Sequence, residues 1–213
     1  MSQAVAAVDH VMGVEPAESP LTPESWGKLG MWLFLGGDAM SFGGLIVGYA
    51  SLRVSVPSCA GGALQPPACW PVPSTMLGVP FTAVMTFLLI CSSVTMVKAL
   101  ESIKRGDRDG LKRFLLLTAL GGATFLGMQA REWTHLISHG MTLTSKGLFG
   151  STFYAMTGFH GFHVFSGVLY LSTILGNANA YSKENHNAVE IVGLYWHFVD
   201  LVWILIFTFV YLI

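Results

Sequence analysis

The sequence predicts an all-α integral membrane protein, a bundle of five transmembrane helices with a cytoplasmic N-terminus and a periplasmic C-terminus. Three observations lead to this prediction. Of the 213 residues, 53% are hydrophobic and only 11% are charged, against about a quarter charged in an average soluble protein. Five apolar segments each have roughly the 20 residues needed to cross a bilayer. Basic residues concentrate in the loops that alternation places on one side.

The chain divides into a short tail and one membrane domain. Residues 1–25 carry acids and prolines without the basic start and apolar core of a cleaved signal peptide. We expect them to form a flexible cytoplasmic tail. Residues 26–213 form the membrane domain, with spans predicted at 26–51, 77–99, 112–133, 151–175 and 190–213.

The basic residues set the predicted orientation. Eight of them lie in or beside the N-terminal tail, the loop between spans two and three and the loop between spans four and five, and three lie in or beside the remaining loops. The positive-inside rule therefore places the tail and those two loops in the cytoplasm. The eight are Lys28, Lys98, Lys104, Arg105, Arg108, Lys112, Arg113 and Lys183, and the three are Arg53, Arg131 and Lys146.

The first span combines a glycine-rich face with one acid. In LGGDAMSFGGLIVGY, Gly44 and Gly48 form a GxxxG step, and such faces let helix backbones approach closely in lipid. We expect tight packing within the bundle or against a partner protein. Asp38 lies about midway along the span, where a lone carboxylate costs about 3 kcal/mol on insertion scales. It should face protein and either find a partner or stay protonated.

The second and third spans carry fewer polar groups. Cys91 lies inside the second span and is expected to pack there. The third span is the weakest by hydropathy, because its apolar core runs directly into Arg131 and Glu132. Both residues, and Glu190 at the start of the fifth span, are expected to be interfacial.

The fourth and fifth spans hold the remaining polar groups at membrane depth. His160 and His163 share one helix face, and so do His197 and Asp200. Since Asp38 and His163 lie at similar depth, we predict a hydrogen bond between them. His160 should satisfy a neighbouring helix or a partner. His197 and Asp200 should bond along their own helix or reach a neighbouring protein.

A metal centre made of these histidines and acids is one alternative. Histidines at i and i+3 point their rings about 60° apart, a looser chelating geometry than i and i+4. No Glu-x-x-His pattern recurs on paired helices, as helical di-iron proteins require. We therefore favour structural pairing over a proton path, and a proton path over metal.

Two of the three cysteines, Cys59 and Cys69, share one loop, PSCAGGALQPPACWPVP. The charge bias places this loop on the oxidising side, and nine intervening residues can close a ring, so a disulfide is predicted. Copper ligation by the pair is the alternative, but the loop supplies no His or Met to complete a site.

Charge and repeat pattern exclude or weaken other functions. A net charge of −1 with 11 Lys and Arg gives no basic face for nucleic acid. No internal repeat and no matched pair of interrupted helices is evident, which weakens the alternative of a small independent membrane transporter.

Two segments closely resemble the signatures of subunit III of cytochrome c oxidase, in the haem-copper oxidase superfamily. They are GSTFYAMTGFHGFHV (150–164) and LYWHFVDLVWILIF (194–207). Further matching pieces follow in family order over residues 26–213, namely GDAMSFGGLIVGY, GDRDGLKR, MQAREW and GLFGST.

This resemblance implies a non-redox core subunit, without catalytic residues, of a terminal oxidase of aerobic respiration in a bacterial inner (plasma) membrane. That complex reduces O₂ to water and translocates protons. Haem and copper are expected in partner subunits, with no metal bound by this chain. The implied partners are the catalytic subunit I, subunit II, small subunits and phospholipid. The implied roles are assembly, lipid binding, proton uptake and stability over many turnovers.

The resemblance also assigns residues. The family's reactive membrane carboxylate falls at Asp38, and its histidine partner falls at His163. The family usually has Glu there, and the loss of one methylene shortens the reach by about 1.5 Å, so a bridging water could be needed. The basic residue that meets lipid phosphate after span four has no match in LGNANAYSK, which leaves Lys183 as a distant substitute.

Two further implications concern the surroundings of the chain. Mitochondrial members have seven helices, and the two that this chain lacks form one wall of a lipid cleft. We expect another subunit to supply that wall. An accessory subunit of a quinol oxidase or nitric oxide reductase is the nearest alternative function.

Overall fold

The computed structural model describes residues 26–59, 69–72, 77–143, 147–183 and 185–212, and the predicted tail lies outside these ranges. Five long helices account for most of them: α1 (Trp26–Ser55), α2 (Val79–Lys104), α3 (Arg108–Ser138), α4 (Leu148–Gly176) and α5 (Asn187–Ile206). A 3₁₀ turn, Ala178–Ala180, follows α4, and a π-helical turn, Phe207–Leu212, continues α5. The predicted all-α fold is confirmed for the described residues.

Four of the five helices are long and apolar enough to cross a membrane: α1, α2, α3, and α5 with its π-helical extension. The third, expected to be the weakest, is among them. Helix α4 is not, although it has 29 residues, because histidines, glycines and hydroxyls dilute its apolar side chains. Four candidate spans therefore follow from length and composition, and a fifth crossing is a proposal.

A tight turn makes α2 and α3 antiparallel neighbours. Gly106 adopts a positive φ of 85°, which glycine tolerates without steric cost. Asp107 then caps α3, its carboxylate accepting a hydrogen bond of 2.9 Å from the Gly110 amide. The GDRDG segment thus ends one helix and starts the next.

Two tryptophans of α5 form the centre of the bundle. Trp196 lies against Gly122 of α3 and Gly167 of α4, where a Cβ at Gly167 would approach its ring to 3.0 Å. The indole N–H of Trp196 donates to Ser92 Oγ at 3.1 Å, and that of Trp203 donates to Thr86 Oγ1 at 3.0 Å. Helix α5 is thereby fixed among α2, α3 and α4.

Helix α1 joins the bundle along a narrow seam. Its buried residues, Lys28, Leu35, Phe42 and Tyr49, recur every seven positions, the spacing of a coiled-coil contact. Its main neighbours are α4 and α5.

The glycines of α1 lie away from this seam. In the described part of the chain, no atom lies within 4 Å of a Cβ placed at any of six positions: Gly30, Gly36, Gly37, Gly43, Gly44 and Gly48. The GxxxG step therefore does not pack inside the bundle, and the other alternative, packing against a partner protein, stays a prediction. A local repeat marks a thin helix face but does not say which way that face points. We call these six glycines the open face of α1.

The segment after α1 is tied back to the bundle. Cys59 and Cys69 are joined as a disulfide with their Cα atoms 5.2 Å apart. Next to it, the Trp70 ring contacts Tyr49 of α1 and Phe149 of α4, with ring centroids 5.3 and 5.4 Å away. We refer to this end of the molecule as the disulfide end.

We predict that the disulfide also forms in the purified protein. Peptide mass mapping without reductant should recover the Cys59 and Cys69 peptides as one linked species that separates after reduction. Cys91 serves as the internal control, since it is unpaired and exposed on α2 rather than packed inside the bundle, and it should react with a thiol reagent. Recovery of Cys59 and Cys69 as free thiols would remove this prediction.

Candidate functional site

The structure brings Asp38 and His163 together near the middle of α1 and α4. Oδ2 of Asp38 lies 2.8 Å from Nε2 of His163, and both side chains are almost buried. The contact is direct, so the shorter Asp needs no bridging water. The distance is that of an ion pair, although Oδ2 is not in good hydrogen-bonding geometry.

A second contact of His163 restricts the protons in this pair. Its Nδ1 lies 2.8 Å from the carbonyl oxygen of Phe159. A carbonyl only accepts, so Nδ1 carries a hydrogen. Nε2 then either carries a second hydrogen opposite an ionised Asp38, or faces a protonated Asp38. Both forms have zero net charge, which suits a site at membrane depth.

His160 lies one turn away in a different environment. Its side chain is 0% exposed, and neither ring nitrogen has a hydrogen-bond partner among the described residues. The ring packs 4.8 Å from Trp203 and 5.8 Å from Phe125, centroid to centroid. Within the described chain, His160 therefore does not bond a neighbouring helix, and a bond to a partner protein, the other alternative, stays a prediction. Aromatic rings occupy the positions where a polar partner was expected.

His197 and Asp200 meet α2 rather than each other. Nδ1 of His197 lies 2.5 Å from Oγ of Ser93, and the same hydroxyl interacts with the Asp200 carboxylate. One sequence pattern indicates this partner. Hydroxyl residues at 82, 86 and 93 recur on one face of α2, at successive spacings of four and seven residues.

Glu132 is buried, which corrects its predicted interfacial position. It is 6% exposed. Its Oε1 accepts a hydrogen bond of 3.0 Å from Thr82 Oγ1, and its Oε2 accepts one of 3.1 Å from Tyr211 OH. We call these three residues the Glu132 cluster. Arg131, the next residue, is exposed with its guanidinium 5.3 Å from the centre of the Phe81 ring.

Glu190 links three helices at the opposite end of the bundle. Its carboxylate oxygens lie 2.5 Å from Nζ of Lys28 on α1 and 2.5 Å from Nζ of Lys104 on α2. Its position in the first turn of α5 also suits the positive end of the helix dipole. Glu190 is therefore at a helix end, as predicted, but it acts as a clamp between helices.

With the exception of His160, these polar groups thus pair with groups on other helices. No group of three or more His, Cys, Asp or Glu side chains among the described residues is arranged to hold a metal ion. The arrangement can fix helices against each other and can hold one proton between Asp38 and His163.

Comparison with known proteins decides the family. The family model described as "Cytochrome c oxidase subunit III" matches residues 24–213. The chain belongs to the cytochrome c oxidase subunit III family. "Cytochrome c oxidase subunit 3" of Corynebacterium diphtheriae is 37% identical over 188 residues, 87% of each chain. "Probable cytochrome c oxidase subunit 3" of Mycobacterium leprae is 38% identical over the same lengths.

A Bacillus subtilis relative, "Cytochrome c oxidase subunit 3", is 37% identical over 187 residues, 86% of this chain and 84% of its own. The subunit III family places the chain in a haem-copper oxidase, an oxidoreductase complex of the respiratory chain. With four apolar helices it is a multi-pass membrane protein. The family that its two signature segments resemble is thereby confirmed.

Proposed function

We propose that this chain is a non-catalytic subunit that braces the catalytic subunit of a proton-translocating oxidase in a bacterial plasma membrane. In this proposal all five helices cross the membrane, with the N-terminus in the cytoplasm. The eight-to-three distribution of basic residues supports the orientation. The absence of Asp, Glu, Lys and Arg from Leu148–Gly176 supports a crossing by α4.

The open face of α1 is the observation that carries the proposal. A helix that holds its own bundle by one seam and turns six glycines outward is built for close approach by other helices. Lipid acyl chains can also cover such a face. A second helix gains more from it, because two helix backbones can come into close van der Waals contact where the side chains are only hydrogens. We therefore place helices of another oxidase subunit against this face.

Phospholipid is a second proposed partner. A cavity of about 300 Å³ lies between α1, α2 and α5, lined by Lys28, Met96, Val97, Leu100, Glu190, Gly193, Leu194 and His197. Apolar side chains form most of its walls, Lys28 and Glu190 also line it, and Nζ of Lys104 lies 2.5 Å from the Glu190 carboxylate. Lys104 is half exposed there, so it can meet a lipid phosphate while the acyl chain enters the cavity.

Copurification tests the proposed assembly. The tagged full-length chain, solubilised in mild detergent, should bring down haem-bearing partners. Gly44→Leu with Gly48→Leu should reduce the haem recovered per chain. Gly127→Leu on α3 is the matched control, since its Cβ position is also open, and it should recover haem like the native chain.

Recovery of the native chain without haem would contradict the proposal and favour the independent transporter. Equal losses with Gly127→Leu and with the α1 variant would contradict the role of the open face. The haem types of the recovered complex, and its oxidation of cytochrome c or quinol, separate a cytochrome c oxidase from a quinol oxidase or nitric oxide reductase.

A further inference from the structure

Two histidines at the end of α3 belong to none of the clusters above. His135 and His139 stand four residues apart in HLISH, so they lie on one face of the helix. Both are exposed, and their ring centroids are 4.3 Å apart with planes inclined by 35°. We propose that this pair binds a divalent transition-metal ion of the borderline class, such as Zn²⁺, Ni²⁺ or Cu²⁺.

The hydrogen bond of His139 leaves it ready to ligate. Its Nδ1 lies 2.8 Å from the carbonyl oxygen of His135, and since a carbonyl only accepts, Nδ1 carries the hydrogen. The lone pair is then on Nε2, which points away from that carbonyl. A metal-binding histidine commonly has its other nitrogen held by a carbonyl in this way, which fixes the tautomer and the ring orientation.

The spacing of the rings also fits chelation. Zinc binds imidazole nitrogen at about 2.0–2.1 Å, so two nitrogens on one tetrahedral or octahedral ion lie about 2.9–3.4 Å apart. Rings whose centres are 4.3 Å apart on one helix face can bring their Nε2 atoms to that separation. The i and i+4 spacing is the one that His160 and His163 lack.

The remaining coordination positions are open. Within the described residues no third His, Cys, Asp or Glu joins the pair. Glu132 lies one turn earlier, but its two oxygens accept hydrogen bonds from Thr82 and Tyr211. Water therefore completes the coordination, and the site should exchange its ion readily. Cu²⁺ should bind to this site more tightly than either Zn²⁺ or Ni²⁺ does.

The site lies at the disulfide end of the molecule, where α3 ends and α4 begins. It does not depend on the proposed assembly, because both ligands come from α3. The prediction of a metal-free chain rests on the histidines at membrane depth alone. The HLISH pattern, with histidines at i and i+4, is the sequence signal for this pair.

Metal binding by the purified complex tests the proposal. The complex, isolated through a tag without histidines, should bind Zn²⁺ in a calorimetric titration and be retained on immobilised Ni²⁺. His135→Gln and His139→Gln should each weaken the Zn²⁺ affinity about tenfold or more, because one remaining imidazole cannot chelate. His186→Gln, a change at a histidine that pairs with Glu190 at the opposite end of the bundle, should leave both measurements unchanged.

His135→Gln and His139→Gln change exposed side chains, so both should assemble normally. The haem content of each variant complex, compared with that of the native complex, checks this. Equal Zn²⁺ affinity and equal Ni²⁺ retention in the native complex and both variants would overturn the proposal. A loss of binding in His186→Gln instead would overturn it as well.

Discussion

Replacing Glu132 with alanine is expected to destabilise the subunit by about 2–4 kcal/mol. The hydroxyls of Thr82 and Tyr211 both donate to this carboxylate. Thr82 keeps the Gly78 carbonyl, 3.2 Å away, as a second acceptor, whereas the buried Tyr211 hydroxyl loses the carboxylate, and a buried donor left without its acceptor costs about 1–3 kcal/mol. The methylene removed from the buried side chain adds about 0.8 kcal/mol. The change also removes a polar link that joins α3 to α2 and to the π-helical end of α5. The loss should appear as a lower melting temperature of the purified complex and as earlier release of the subunit in detergent.

Two variants sharpen this experiment. Glu132→Gln keeps a carbonyl acceptor for one hydroxyl and should lose less stability than Glu132→Ala. Glu101→Ala removes a glutamate whose side chain is 59% exposed and paired only with Arg105, and it should change little. If Glu132→Ala and Glu101→Ala melt together, the buried Glu132 cluster does not stabilise the fold.

Replacing Asp38 with alanine should be the second large loss, about 1–3 kcal/mol, because His163 then has no partner on α1 at membrane depth. Helix α1 is held along one narrow seam, so this loss should loosen α1 in particular. The expected result is weaker attachment to the catalytic subunit, measured as less haem recovered with the tagged chain.

Asp38→Asn separates the structural role from a proton role. The amide N–H of asparagine can donate to Nε2 of a neutral His163, so the contact and the shape persist and assembly should be normal. An asparagine cannot exchange a proton with His163 as an aspartate can. Native proton pumping and turnover lifetime in Asp38→Asn would make the role structural, whereas slower proton uptake would assign Asp38 to a proton path. Equal instability of Asp38→Ala and Asp38→Asn would contradict the predicted contact.

The sequence was sufficient for the elements and for the central pair. Long apolar segments placed the five long helices to within five residues of their observed ends, with the π-helical turn Phe207–Leu212 counted as part of α5. Asp38 and His163 were paired from their similar depth and from the family resemblance. Each residue advances a helix by 1.5 Å, so the depth of a side chain in the membrane can be counted from the sequence. Contacts between groups at equal depth can therefore be predicted.

Glu132 shows where that reasoning stops. Hydropathy ended the third span near residue 133, but α3 continues to Ser138, six residues beyond Glu132. At 1.5 Å per residue, Glu132 therefore lies about 9 Å from the helix end. Its partners come from α2 and from the π-helical turn that continues α5, and no local sequence pattern predicts them.

The rotation of each helix about its own axis was the other quantity that the sequence did not predict. The glycines of α1 indicated a thin face correctly but not its direction, and the polarity of His160 gave no hint of its aromatic surroundings. Both depend on how the helix rotates about its axis in the assembled bundle.

The seam of α1 has a consequence for biosynthesis. The chain is made from its N-terminus, so α1 enters the membrane before the other four long helices described, yet its main neighbours are α4 and α5, which emerge after α2 and α3. Asp38 is translated 125 residues before His163, as their numbers show. During that interval it is an unpaired acid in lipid, with an insertion cost of about 3 kcal/mol. The nascent chain therefore needs a temporary neighbour for α1, or a protonated Asp38, until the ribosome has delivered the end of the protein.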